Sequence, residues 1–205
     1  MNNVKIDGIN NENVVKDLFS SVNCLEDDNC FLVVLNRDYV APSIDNSKTL
    51  SNSSKVAGAK MGGVAGGLIG GAVAGSINSV VEEALKEFND KLNDKQKILF
   101  SRNVYCGYLI NVISNGIGII PLKNSGQLIP KIKDFITDMD NYVFIGNDEI
   151  KKMEIKKLPL RHSTKKLAIY FNNLDDASTP WTLPTKHKLV PYQQENYNKL
   201  AKKLS

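Results

Sequence analysis

The chain has 205 residues, of which 42% are hydrophobic and 23% are charged, so it is long and apolar enough to bury a core. Its formal net charge of +4 is too small to indicate a nucleic-acid-binding protein, and we expect no nucleic-acid partner. The three cysteines, Cys24, Cys30 and Cys106, include no CxxC pair, so the sequence indicates neither a disulfide framework nor a zinc knuckle.

The first forty residues predict one helix and one strand. Residues 1–19 contain no apolar run of signal-peptide length, which favours a cytoplasmic protein with reduced thiols. Cys24 and Cys30 could pair only if the chain were exported. Apolar residues at helical spacing predict an amphipathic helix at 11–22, and the β-forming run at 31–40 predicts the first strand.

Residues 56–81 form a glycine zipper, in which glycines recur at steps of four in two registers. On a helix, such steps lie along one stripe, where another backbone can approach closely. The segment is uncharged from residue 61 to 81, about the length of a membrane span, but glycine adds little hydrophobic drive. A packed helix or loop, a membrane-associating element and a self-association surface therefore stay open. The glycines that would serve the last two roles are Gly62, Gly63, Gly66, Gly67, Gly70, Gly71 and Gly75.

The rest of the chain predicts one helix, a series of strands and a closing helix. Apolar spacing predicts an amphipathic helix at 80–100. The dipeptide Asn115-Gly116 is a strong signal for a two-residue hairpin turn, and residues 123–140 predict a longer connection with a helical turn. A final helix, with proline at its start, is predicted at 191–204. The predicted strands after the first lie at 105–113, 117–122, 142–146, 149–158, 165–171 and 180–184.

This order of elements resembles the pleckstrin-homology-like superfold, especially bacterial PH-like and GRAM-like domains. The likeness is carried by the sequences at 107–122, 142–158 and 165–171 and by the terminal helix. It implies an α+β fold, a seven-stranded antiparallel barrel closed by a C-terminal helix, with a helical Gly-rich insertion after the first strand. The corresponding division of the chain is 1–40 for the N-terminal helix and first strand, 41–103 for the insertion and 104–205 for the main barrel strands and helix. In PH-like domains the loop between strands one and two commonly faces phospholipid headgroups, and here the insertion replaces that loop.

No arrangement of residues indicates catalysis, a cofactor or a metal. His162 and His187 lie in segments that are predicted to be polar loops, away from any cysteine or serine nucleophile motif. The glycine-rich segment lacks the GxxxxGK[ST] ending of a phosphate-binding loop. The acidic residues between 138 and 149 do not have the spacing of a calcium loop. We therefore expect a protein that is not an enzyme.

Basic residues gather on two neighbouring predicted strands and their connection. Charge asymmetry of this kind can bind an anionic surface, whereas a solvated strand edge that resists aggregation is the alternative. The basic residues proposed for binding are Lys151, Lys152, Lys156, Lys157, Arg161, Lys165 and Lys166.

Two functions are consistent with these patterns. The first is a non-enzymatic PH-like binding module for a protein or an anionic membrane surface, peripheral at the membrane, with the glycine zipper for membrane association or self-association. The second is a soluble structural or oligomerising protein whose zipper helices pack between subunits of a homo-oligomer.

Overall fold

The computed structural model describes residues 6–26, 29–35, 86–101, 104–124, 135–158, 161–174 and 177–204. The glycine zipper and its seven candidate glycines lie outside these ranges. The helices in the described part are α1 (Ile6–Ile9), α2 (Glu12–Ser21), α3 (Asp94–Phe100) and α4 (Gln193–Lys203), with a helical segment at 86–91 and a 3-10 turn at Met139–Asn141. The strands are β1 (Phe31–Leu35), β2 (Tyr105–Ile113), β3 (Gly116–Asn124), β4 (Phe135–Thr137), β5 (Val143–Gly146), β6 (Ile150–Leu158), β7 (Arg161–Phe171) and β8 (Trp181–Pro184).

The described strands form one antiparallel sheet in the order β4-β3-β2-β1-β8-β7-β6. Strand β3 pairs with β2 on one side and, on the other, with β5 at its beginning and β4 at its end. The predicted α+β class, the antiparallel sheet and the C-terminal helix are confirmed. The strand β4 was not predicted, because it has only three residues and its sequence shows no clear alternation.

The predicted barrel is not closed by strand pairing. The sheet ends at β4 and β5 on one side and at β6 on the other, and these edges form no backbone ladder in the described part. Helix α3 packs where the two edges approach: Lys95 forms an ion pair with Glu149 in the β5–β6 turn, at 2.7 Å. The Gln96 amide donates to Asn173 Oδ1, just after β7, at 2.6 Å. A helix therefore covers a gap that a closed barrel would fill with strand hydrogen bonds.

Strands β1 and β8 are paired only in part, and side chains of α4 bridge the remaining gap between them. These strands pair only at Val34 and Leu35, so the first half of β1 needs other partners. The buried Gln193 amide accepts from Leu32 N–H at 2.8 Å and donates to the carbonyls of Leu32 and Pro184 at 2.9 and 2.8 Å. Asn196 donates to the Cys30 carbonyl at 2.8 Å. Two side-chain amides thus take the place of a neighbouring strand.

The strands β1 to β3 are buried on both faces. On the inner face, Phe31 and Val33 join a core that also contains Trp181 and residues of the 86–91 segment and α3. On the outer face, Leu32 packs with Phe19 of α2 and other buried side chains. Because successive side chains of a strand point to opposite faces, double coverage explains the nearly unbroken apolar sequence of β2.

The predicted helix at 80–100 is divided in the described part. Residues 86–91 are helical, and α3 begins at Asp94. Asn93 caps α3 by accepting from Gln96 N–H at 2.8 Å, and the Gln96 side chain accepts from Asn93 N–H at 3.1 Å. This capping box satisfies the free N–H groups of a helix start and explains the break.

The hairpin turn between β2 and β3 lies one residue earlier than predicted. Ser114 and Asn115 form the turn, and Gly116 is already paired with Ile113 and Gly146. A Cβ atom at residue 116 would collide with the Ile145 carbonyl and the Phe144 ring. Gly116 is therefore required by the close approach of β5 and not by a left-handed turn conformation.

Candidate functional site

The candidate site is the basic hairpin, defined as strands β6 and β7 with their seven predicted binding residues. Lys156 pairs directly with Lys166, and Lys157 pairs directly with Lys165. Since neighbouring residues of a strand point to opposite faces, the hairpin carries one lysine pair on each face. The sequence predicted one patch of lysines, whereas the structure divides these lysines into two groups on opposite faces.

On the outer face, the lysine pair is accompanied by a carboxylate. Glu154 forms ion pairs with Lys152 at 2.6 Å and with Lys156 at 2.7 Å. The hydrogen bond from Lys152, followed by that from Lys156, lowers the pKa of Glu154 to about 2. Lys156 also donates to the Tyr170 hydroxyl at 2.7 Å. The carboxylate therefore compensates much of the positive charge on this face.

Lys166 is held by the segment that follows β7. Its ammonium group donates to Ser178 Oγ at 3.0 Å, and Ser178 is buried. Burial, with a smaller contribution from Lys156, lowers the pKa of Lys166. Ser178 also forms an isolated bridge with Tyr170, so this contact fastens the segment to the sheet.

On the inner face, Lys157 and Lys165 lie next to the outermost buried side chains of the hydrophobic core. Leu167, two residues after Lys165, belongs to the buried core, and Lys165 lies directly opposite Leu183 of β8, which is also buried. In the part of the chain that the structure describes, neither Lys157 nor Lys165 forms an ion pair with a carboxylate. Lys157 is exposed and Lys165 is half-buried, so this pair lies at the rim of the core and faces solvent.

The remaining predicted basic residues lie at the two ends of the hairpin. Lys151 is exposed at the irregularity between Ile150 and Lys152, where the β6–β7 register shifts. Arg161 begins β7 and pairs with Leu158, but its side chain is outside what the structure describes. All seven residues therefore belong to one hairpin, although they do not share one face.

A second polar cluster surrounds Asp138, which follows β4 and is fully buried. Its Oδ2 receives hydrogen bonds from Lys123 at 2.7 Å, Asn141 at 2.8 Å and Tyr105 at 3.2 Å. Burial is the largest single influence and favours protonation, but the hydrogen bonds from Lys123, Asn141 and Tyr105 and the charge of Lys123 together outweigh it, so the pKa of Asp138 is lowered. Since its partners lie on β2, β3 and the 3-10 turn, we interpret this cluster as an anchor for the short β4.

The other chemically reactive side chains occupy structural positions. Cys24 and Cys30 are buried free thiols on the outer side of the sheet, and Cys106 is a half-buried free thiol. The imidazole of His187 accepts from Leu189 N–H at 3.2 Å, and burial lowers its pKa. No group of three metal-ligating side chains occurs among the residues that the structure describes.

No helix in the described ranges combines the length and apolarity needed to cross a membrane. The prediction of a membrane or self-association role for residues 56–81 lies outside these ranges and stays a prediction.

Sequence reasoning missed three partners of the lysines: Glu154, Tyr170 and Ser178. The role of Glu154 could have been predicted, because the side chains of residues 152, 154 and 156 lie on the same face of a strand. The roles of Tyr170 and Ser178 depend on strand register and on the path of the chain after β7, which local sequence does not encode.

Comparisons of the chain with protein families, with curated proteins and with solved structures give no match.

Proposed function

We propose that this chain is a non-enzymatic binding module that docks on an anionic membrane surface through the basic hairpin. The observation that carries the proposal is local charge. Residues 150–171 contain six lysines and one arginine against one glutamate, a formal charge of +6, so the rest of the chain is net acidic. Basic groups near an anionic membrane contribute about 1 kcal/mol each.

The exposure of these side chains supports the same proposal. Lys152 and Lys156 keep 61% and 47% of their side-chain surface accessible despite their ion pairs with Glu154. Lys151 and Lys157 are exposed as well. Lysines on both faces and at the end of a hairpin can meet a membrane edge-on, with the hairpin as the contacting element.

The order of strands adds weaker support. Seven of the eight described strands, all except β4, and the C-terminal helix correspond to the elements that the PH-like resemblance implies. We propose that the fold is an open variant of that superfold, in which α3 and α4 cover the two gaps of the sheet. A membrane or self-association role for the glycine zipper belongs to the same proposal and rests on sequence alone.

Vesicle flotation tests this function with the full chain. We expect the chain to float with vesicles of phosphatidylcholine and phosphatidylserine, but not with phosphatidylcholine alone, and to be released by high salt. Replacing four hairpin lysines by glutamine should weaken binding more than about a hundredfold. The hairpin variant changes Lys151, Lys152, Lys157 and Lys165, and the control changes Lys86, Lys91, Lys188 and Lys203, which are also exposed.

Equal loss in both variants would show that only total charge matters and would contradict the hairpin as the docking element. Failure of the unmodified chain to float would contradict membrane docking and leave a protein as the partner class. Deletion of residues 56–81 in the same assay separates any contribution of the glycine zipper from that of the hairpin.

A further inference from the structure

The two lysine pairs of the basic hairpin differ in a way that charge counting does not reveal. Opposed residues on neighbouring strands have Cβ atoms about 4.5–5.5 Å apart, and like charges in such positions destabilise a sheet. On the outer face, Glu154 lies between Lys152 and Lys156, and Ser178 holds Lys166. Lys157 and Lys165, on the inner face, have no carboxylate partner in the described chain.

Hydroxyl groups continue the inner face beyond this pair. Ser163 is two residues before Lys165 on the same strand and is exposed, so its side chain lies on the same face as Lys165. Thr185 N–H donates to the Ser163 carbonyl at 3.0 Å, and the Thr185 hydroxyl donates to the same oxygen at 3.1 Å. The Thr185 contacts fix the backbone at Ser163, and among the described residues none forms a hydrogen bond with the Ser163 hydroxyl.

We propose that Lys157 and Lys165, with Ser163 beside them, form a binding site for a phosphate monoester group. Two ammonium groups on opposed strand positions can contact one doubly charged phosphate, and each lysine contributes as a compact point charge with several donors. A serine hydroxyl supplies a further donor to the third oxygen. The site rests on the proposed anionic docking function and lies on β6 and β7.

The preference between two lipids tests the site separately from general docking. Vesicles containing phosphatidic acid, a phosphate monoester, are compared with phosphatidylserine vesicles adjusted to the same surface charge. We expect tighter binding to phosphatidic acid, by about tenfold, because charge-assisted hydrogen bonds to the phosphate act in addition to the surface attraction that both vesicles share. Lys157→Gln/Lys165→Gln should abolish this preference and keep residual binding to phosphatidylserine.

The matched control is Lys151→Gln/Lys152→Gln, which removes the same charge from the same hairpin. It should weaken binding to both vesicles and keep the preference. Thermal unfolding of each variant verifies that both are folded. Equal binding to the two vesicles by the unmodified chain, or a preference that survives Lys157→Gln/Lys165→Gln, would overturn the phosphate site while the docking function stands. Absence of binding to either vesicle would overturn both.

Titration with glycerol 3-phosphate distinguishes the source of the phosphate group. Saturable binding that depends on Lys157 and Lys165 would support the site and identify free phosphate compounds as ligands. Binding to phosphatidic acid vesicles alone would support the site and assign it to a lipid headgroup. Binding of the soluble compound that is unchanged in Lys157→Gln/Lys165→Gln would overturn the assignment.

Discussion

Strands β1–β3 and strands β6–β8 belong to the same sheet, but their outer faces have different surroundings. The outer face of β1–β3 is covered by α2, with Phe19 and Leu32 fully buried. The outer face of β6 and β7 carries Lys156 and Tyr170, which bind each other and remain partly accessible. One half of the sheet is therefore an interior layer and the other half presents a charged surface.

Hydrophobic stabilisation and exposed charge therefore lie in different halves of the sheet. Burial of apolar side chains on both faces of β1–β3 supplies most of the hydrophobic free energy of those strands. Strands β6 and β7 bury their large apolar side chains on the inner face, whereas their outer face carries the accessible charged groups Lys152, Glu154 and Lys156. A ligand can contact the second region without disturbing the core that holds the first.

The largest expected effect comes from removing the cover of β1–β3. Phe19→Ala should reduce the free energy of unfolding by about 3–5 kcal/mol, because it leaves a cavity between α2 and the sheet. Tyr170→Ala, on the outer face of the other half, should cost less than about 1 kcal/mol. Urea denaturation of both variants measures the difference. Equal costs would show that the two outer faces are energetically alike and would contradict the comparison.

The second-largest expected effect comes from removing the Gln193 side chain, which bridges β1 and β8 where the two halves of the sheet meet. Gln193→Ala should cost about 2–3 kcal/mol, because it leaves the N–H and carbonyl of Leu32 and the carbonyl of Pro184 without their side-chain partner. Gln194→Ala, one residue later and exposed, is the matched control and should leave stability almost unchanged. If Gln193→Ala lowered the free energy of unfolding by less than about 0.5 kcal/mol, water would be replacing the amide. The Gln193 side chain would then not be needed to bridge β1 and β8.

A smaller effect concerns the ion pairs on the outer face of the basic hairpin. The pKa of Glu154 is lowered from 4.5 to about 2, so its stabilising contribution is complete above about pH 5 and is lost as pH falls towards 2. Its lysine partners are largely accessible, and we expect a contribution of no more than about 1 kcal/mol. Glu154→Gln should therefore be less stable than the unmodified chain at pH 7, and the difference should vanish near pH 2. Thermal unfolding across this range measures it, and a difference independent of pH would refute the ion pairs as its cause.

The smallest effect distinguishes the two lysine pairs. Lys165→Gln removes one of two opposed charges that lack a carboxylate, and it should raise stability by a few tenths of a kcal/mol at low salt. Lys156→Gln removes a charge that is paired with Glu154, and it should lower stability by a similar amount. Added salt should reduce both differences. If both variants changed stability in the same direction, the result would contradict the idea that a carboxylate compensates the lysine charge on one face only.

Local patterns in the sequence predicted most of the secondary structure. Alternating and helical spacings located α2, β2, β6 and α4, since these signals depend on neighbouring residues. Strand β7 begins at Arg161, earlier than predicted, because its polar first residues, such as Arg161 paired with β6 and Thr164 paired with β8, contribute nothing apolar to a pattern. The described strands do not show the predicted closure of the barrel, which depends on how two distant edges meet and not on local sequence.

The candidate site was predicted in composition but not in arrangement. The seven basic residues belong to one hairpin, as the sequence suggested. Their division between faces follows from the pairing of Lys156 with Lys166 and of Lys157 with Lys165. The β6–β7 register shifts at both ends of β6, and no sequence signal marks either shift. The role of Gln193 could not be predicted either, because it contacts β1 from 161 residues away.

The contact between Gln193 and β1 also constrains the order in which the chain can fold. A ribosome must synthesise the chain as far as Gln193 and Asn196 before β1 can obtain its partners from α4, and contacts between such distant residues form late because closing a long loop costs entropy. The β2–β3 hairpin needs only local pairing, so its amides should be protected from hydrogen exchange before those of β1 during refolding. Until α4 has been synthesised, the beginning of β1 lacks these side-chain partners on one edge and remains open to pairing with other molecules.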